Sequence, residues 1–124
     1  MIGIDIIKID RMEKMLEKFG NKALERFLSN EEIALVHSPK TAAGFWAIKE
    51  AVSKALGTGI GKECSFKDIR IYKTPANAPK IALSHSLINK FSLEEADVSL
   101  THDGGYAIAV VYLKSLHVNS LKGF

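Results

Sequence analysis

The sequence predicts an α+β fold, a mostly antiparallel sheet packed against one long and several short helices. Three observations predict it. Apolar residues recur at helical spacing through much of residues 10–56, strand patterns recur through 68–113, and Asp103-Gly104 joins the last two strand patterns as a hairpin turn.

The elements follow in order. Ile2, Ile4 and Ile6 alternate with Gly3, Asp5 and Ile7, a strand with one strongly apolar face. From Asp10, a good N-cap, Met12, Met15, Leu16 and Phe19 repeat at helical spacing up to Gly20, and a second helical piece runs from Lys22 to Leu28. Ser29-Asn30-Glu31-Glu32 reads as the cap and acidic first turn of a short helix ending near His37, which Ser38-Pro39 breaks. Thr41 to Leu56 is the strongest helix. Phe45, Ile48, Val52, Ala55 and Leu56 form its apolar stripe, Trp46, Lys49, Glu50, Ser53 and Lys54 lie off it, and Gly57 is the expected C′ residue. Strands are expected over Asp68–Lys73 and Lys80–Leu83 around a turn at 74–79, then a helical turn at Ser86–Phe91, then strands Ala96–Thr101 and Tyr106–Leu113.

Composition narrows the class. A chain of 124 residues, 47% hydrophobic and 25% charged, suits one globular domain over 1–124 and excludes a disordered or collagen-like chain. The lone Cys64 has no internal partner, and with His37, His85, His102 and His117 it shows no zinc spacing. The longest apolar stretch, Tyr106–Leu113, is far short of the roughly 20 residues a membrane helix needs. Met1–Ile7 carries Asp5 and lacks a basic flank, unlike a signal peptide, so a soluble cytoplasmic domain is expected. The net charge of +3 is uneven: residues 41–80 hold seven basic and three acidic side chains. That excess reads either as a solvated face or as an attraction for phosphates or an acidic partner. No arginine-rich run or basic–aromatic interleaving points to nucleic acid.

Few residues stand out chemically. Asp5 is a carboxylate in an isoleucine-rich strand, costly to bury without compensation, so it either faces solvent at the sheet edge or meets a cation. Glu50 and Lys54 are four apart in the order that favours a helix ion pair; alternatively Glu50 faces a metal and Lys54 a phosphate. Gly57-Thr58-Gly59-Ile60-Gly61-Lys62 imitates a phosphate loop, but it follows a helix, whose C-terminal end repels anions, and it reads as a helix stop. Ser84-His85 and Thr101-His102 lack a nucleophile elbow, which argues against a serine hydrolase. His102 ends a strand before a tight hairpin, either as a polar turn residue or projecting toward a ligand.

Three separated segments combine: Gly3-Ile4-Asp5-Ile6, then Phe45-Trp46-Ala47-Ile48-Lys49-Glu50-Ala51-Val52-Ser53-Lys54-Ala55-Leu56-Gly57, then Val98–His102 with Tyr106–Ala109. Together they resemble the 4′-phosphopantetheinyl transferases of the short bacterial type, over roughly residues 1–113. The resemblance implies transfer of the phosphopantetheine arm of coenzyme A to a serine of an apo acyl carrier protein, with 3′,5′-ADP released. It implies Asp5 and Glu50 as Mg²⁺ ligands and Lys54 on the pyrophosphate; Glu50 or Asp5, acting directly or through a metal-bound water, is the candidate general base. Gly57, Pro79, Thr101 and His102 are implied to join Lys54 in the coenzyme A site, Arg11, Met15, Lys18, Lys22 and Arg26 to dock the acidic carrier, and a homotrimer is expected. Residues 115–124 then read either as a subunit contact or as a disordered tail. Two features depart from the family pattern: Phe45 stands where a basic residue is frequent, and an Asn-Gly-x-Pro turn is replaced by Asn77-Ala78-Pro79. Two other classes compete, a non-catalytic module that binds acidic proteins and a small metal-dependent nucleotide phosphoesterase. Only the transferase uses Asp5, Glu50, Lys54 and His102 together.

Overall fold

The computed structural model describes residues 1–116 and 121–124. The chain runs β1 (Ile2–Lys8), α1 (Ile9–Phe19), α2 (Asn21–Glu25), α3 (Asn30–Ile33), α4 (Pro39–Leu56), β2 (Ile69–Lys73), β3 (Pro79–Leu83), α5 (His85–Phe91), β4 (Leu93–Asp103) and β5 (Tyr106–Ser115). The α+β class and the order of elements agree with the sequence pattern. The strands divide between two antiparallel sheets, β1-β5-β4 and β2-β3. Of the tail expected at 115–124 to be a subunit contact or disordered, residues 117–120 lie outside the described residues. Among the described residues no helix is long and apolar enough to cross a membrane.

Helix α4 is the spine. Its predicted stripe residues Phe45, Ile48, Val52 and Ala55 are buried, together with Ala42, Ala43, Ala47 and Ala51. Lys49 and Ser53, expected off the stripe, are buried as well. The helix is covered by β1 and β5 on one side and meets α1, β2 and β4 elsewhere, so a single apolar face underestimates its buried arc.

Helix ends differ from the sequence reading for local reasons. Lys8, not Asp10, is the N-cap of α1; Asp10 falls in the first turn and pairs with Lys14 at 3.1 Å. The second helix covers Asn21–Glu25 and stops short of Leu28. The Ser29–Glu32 capping box forms as expected, but α3 ends at Ile33 instead of near His37. Ser38-Pro39 starts a helix: the Thr41 N–H donates to Ser38 Oγ at 3.4 Å, and Pro39 opens α4, where its missing N–H is no loss. Gly57 closes α4 at φ 80, and Gly104 and Gly105, at φ 58 and 83, make the tight β4–β5 turn.

The apolar face of β1 is its outer one. Gly3 and Ile7 are buried and Asp5 shares their inward side, whereas Ile2, Ile4 and Ile6 are 72%, 58% and 57% exposed. Val110 and Tyr112 of the neighbouring β5 extend the same exposed face.

Candidate active site

Strand β1 lies against α4 because Gly3 has no side chain. A Cβ there would run into the Ala51 carbonyl oxygen and come within 2.6 Å of the Ala55 nitrogen. Asp5, two residues on, therefore faces the same helix, with its side chain only 11% exposed. Lys54 Nζ donates to Asp5 Oδ1 at 2.7 Å, so the compensating cation that a carboxylate in this strand requires comes from α4. The expected Glu50–Lys54 helix pair gives way to this contact between elements.

Glu50 sits one turn before Lys54 and joins them electrostatically. Burial, and next the charge of Asp5, push its carboxyl above the ordinary carboxylate range, while Lys54 and Arg11 pull it back. Two carboxylates that repel each other beside one exposed ammonium form a hard-oxygen donor set short of positive charge. That chemistry fits Mg²⁺, which binds through one or two carboxylates and completes its shell with water and phosphate oxygens. Among the described residues no group of three His, Cys, Asp or Glu side chains gathers to form an all-protein metal cage.

The other sequence-predicted residues spread over the molecule. Gly57 is exposed at the end of α4, three positions beyond Lys54. His102 lies near the end of β4 and packs against the first half of α4, where the Gly44 site leaves it room: a Cβ at Gly44 would stand 3.2 Å from His102 Nε2. That Nε2 donates to the Lys40 carbonyl at 3.1 Å, and burial, helped by the charges of Lys40 and Lys73, holds the imidazole below its ordinary range. Gly44 precedes Glu50 by six residues, roughly 9 Å of helix, so His102 is not gathered into the Asp5–Glu50–Lys54 cluster of its own chain. Thr101 is exposed on β4, and Pro79 opens β3 opposite Lys73. The two departures from the family pattern have local answers. Lys73 stands 5.8 Å over the Phe45 ring, supplying a cation from β2, and Asn77, at φ 64, adopts the left-handed conformation in the turn that lacks glycine.

Arg11, Met15 and Lys18 line one shallow groove of about 480 Å³ on α1, together with Lys8, Asp10, Lys14 and Phe19. Lys22 and Arg26 lie beyond that lining, on and just after α2, although Arg26 stands 4.8 Å over the exposed Phe19 ring. Phe19, a stripe residue of α1 by its spacing, lies on the surface; Gly3 enters the sequence pattern only through the strand alternation and as part of a family segment, and Gly44 not at all. Glycine interrupting an isoleucine strand was the available signal for Gly3.

With this geometry in place, the comparisons fall into one group. Residues 1–111 match the model of the 4′-phosphopantetheinyl transferase superfamily, and the chain belongs to that family of enzymes. Its relatives include the holo-[acyl-carrier-protein] synthase of Sulfurimonas denitrificans, 57% identical over 98% of this chain and 100% of the relative. The crystal structure of Helicobacter pylori holo-[acyl-carrier-protein] synthase in complex with coenzyme A superposes with a TM-score of 0.89 at 52% identity, covering 92% of this chain and 100% of that one. A holo-(acyl-carrier-protein) synthase from Bacillus anthracis, in complex with CoA (3′,5′-ADP), gives 0.77 at 38% identity, over 92% of this chain and 95% of that one.

Proposed function

We propose that the chain transfers the 4′-phosphopantetheine group of coenzyme A to a serine of an apo acyl carrier protein, with Mg²⁺, releasing 3′,5′-ADP. The observation that carries this reading is the meeting of Asp5 from β1 with Glu50 and Lys54 from α4, in a chain similar over nearly its whole length to holo-[acyl-carrier-protein] synthases. The carrier serine oxygen bonds to the β-phosphorus of coenzyme A, the bond from that phosphorus to 3′,5′-ADP breaks, and the serine proton passes to a carboxylate. Asp5 already accepts a hydrogen bond from Lys54, whereas the Glu50 carboxylate has no hydrogen-bond partner among the described residues, which favours Glu50 as acceptor. Lys54 offsets the charge of the diphosphate without transferring a proton. Asp5 and Glu50 hold Mg²⁺, which when bound makes the phosphorus more electrophilic and stabilises the leaving diphosphate oxygen.

The remaining residues are spread around this centre, His102 standing apart from it within one chain. His102 with Thr101, Pro79 and Gly57 serve the nucleotide of coenzyme A, and the neighbouring charges of Lys40 and Lys73 suit a phosphate. The basic groove of Arg11, Met15 and Lys18, with Lys22 and Arg26 beside it, receives the acidic carrier. Support for its closeness to the chemistry is that the charge of Arg11 reaches Glu50. The exposed face of Ile2, Ile4, Ile6, Val110 and Tyr112 favours burial against further copies of the chain in a homotrimer, and a cytoplasmic location suits the lone buried Cys64. The test is the intact mass of purified apo acyl carrier protein after incubation with the chain, coenzyme A and Mg²⁺, with EDTA as control. A metal-dependent gain of one phosphopantetheine is expected. An unmodified carrier beside intact coenzyme A would overturn the reading, and cleaved coenzyme A beside an unmodified carrier would replace it with a phosphoesterase.

A further inference from the structure

Lys49 is the charged residue of α4 to which the chemistry above gives no part. It is Glu50's neighbour in sequence, yet its side chain is 2% exposed. Its ammonium donates to three acceptors: the Phe27 carbonyl at 2.7 Å, Glu32 Oε1 at 2.9 Å and the Phe66 carbonyl at 3.1 Å. Glu32, equally buried, also accepts the Ser29 N–H on Oε1 and the Ile71 N–H on Oε2, both at 2.8 Å. One ammonium thus ties α4 to the segment after α2, to α3 and to the turn before β2, and the carboxylate carries the tie into β2. Burying two charges is seldom a more stable solution than an apolar pair of the same volume, so stability alone is a weak reason for this arrangement. What a three-point seat does supply is a single rotational setting of the helix.

That setting decides where Glu50 points, because adjacent residues diverge by a fixed angle around a helix axis. A glutamate carboxyl stands roughly 6 Å from the axis, so turning α4 by about 20° would carry it about 2 Å. A displacement of about 1 Å at a reacting centre is enough to cost on the order of 100-fold in rate. We propose that Lys49 and Glu32 are positioning residues, and that the seat of the Lys49 ammonium fixes the rotation of α4 and with it the placement of Glu50 and Lys54 against Asp5. This rests on reading Asp5, Glu50 and Lys54 as the transfer site.

The test uses the full chain with Lys49→Met combined with Glu32→Gln, which removes the ammonium without leaving a buried charge unpaired. Thermal unfolding reports folding. Mn²⁺ binding in the presence of coenzyme A and the absence of carrier reports the carboxylate pair, and transfer kinetics give kcat and KM. The folded double variant is expected to lose about 10- to 100-fold in kcat and to bind Mn²⁺ about 10-fold more weakly, with KM for the carrier within about twofold. Glu32→Gln alone keeps Lys49 on the Phe27 and Phe66 carbonyls but removes its carboxylate, and is expected to lower kcat and Mn²⁺ affinity by about 3- to 10-fold, less than loss of the ammonium itself. Lys49→Arg keeps the charge but has a planar fork that does not fit the three-point seat; it provides a second folded variant with the same expected split. Wild-type kcat and Mn²⁺ affinity in either folded Lys49 variant would overturn the proposal. If the unsubstituted chain transfers nothing, the functional reading falls, and positioning is then decided by Mn²⁺ alone, a weakened affinity supporting it and an unchanged one overturning it.

Discussion

Replacing Gly3 by alanine tests the contact on which the site is built. The backbone at Gly3 is not in the left-handed region, so alanine is conformationally acceptable and only its methyl group matters. That methyl would lie 2.6 Å from the Ala55 nitrogen, where ordinary contact begins at 3.4 Å, and closer still to the Ala51 carbonyl oxygen. Both obstacles are helix backbone, which cannot rotate aside, so β1 and α4 must separate by about 0.8 Å or more. Overpacking of this kind costs about 1–3 kcal/mol, or roughly 3–15 °C in Tm for a chain of this size. The same separation pulls Asp5 away from Lys54, now 2.7 Å distant, and from Glu50, so kcat for carrier modification should fall by about 10- to 100-fold in protein that is still folded. Circular dichroism on heating and intact-mass transfer kinetics at 20–25 °C read the two effects. A Tm within about 1 °C of the unsubstituted chain would refute the close approach, and a lowered Tm with unchanged kcat would refute its link to the site.

Other substitutions probe other parts. Glu50→Gln removes a carboxylate that Asp5 repels, so it should leave Tm unchanged or slightly raised while transfer falls by at least about 100-fold; a near-normal rate would remove Glu50 from the site. Asp68 is held below the ordinary carboxylate range chiefly by the Ser65 N–H and also by the Ser84 and Ser65 hydroxyls. A carboxyl with a depressed folded-state pKa stabilises above its unfolded value, and this is lost as pH falls through the folded value. Denaturant titrations should therefore find Asp68→Asn about 1 kcal/mol less stable at pH 7, with the gap closing below about pH 4; a pH-independent gap would contradict the hydrogen-bonded carboxylate. Ile4→Lys places a charge in the exposed isoleucine face and should shift the sedimentation of the proposed trimer toward monomer, whereas an unaltered species would locate any subunit contact elsewhere.

Local signals in the sequence translated well. The helix ending at Gly57, the Ser29 capping box and the Asp103-Gly104 turn depend on neighbours a few residues apart, and each appears in the structure. What depends on distant partners was not legible. Lys49 read only as a residue off the apolar stripe because the carboxylate that meets it, Glu32, lies 17 residues away on another helix. The inward direction of Asp5 was open for the same reason. Alternation identifies two faces of β1 without saying which is covered, and the more apolar face proved to be the exposed one. For the site, residue types and family pattern named Asp5, Glu50 and Lys54. Only the fold supplies the reason they meet, a glycine strand lying on an alanine ridge.

That reason extends to the composition of α4. Ala42, Ala43, Gly44, Ala47, Ala51 and Ala55 would pass as good helix formers, except that glycine is a poor one, and its presence inside a helix needs another cause. The cause is distance. Gly44 lets Leu100 and His102 of β4 approach, with a Cβ there 2.7 Å from Leu100 Cδ2, and the pair Ala51 and Ala55 lets Gly3 approach. Each close contact lies within a turn or two of a residue proposed for binding or catalysis, so the small residues set the spacing at which the long ones act. Lys49 complements them by fixing rotation where they fix separation. A helix with the same charged residues on a bulkier ridge would keep its fold class and hold Glu50 and Lys54 too far from Asp5 for the three to act together.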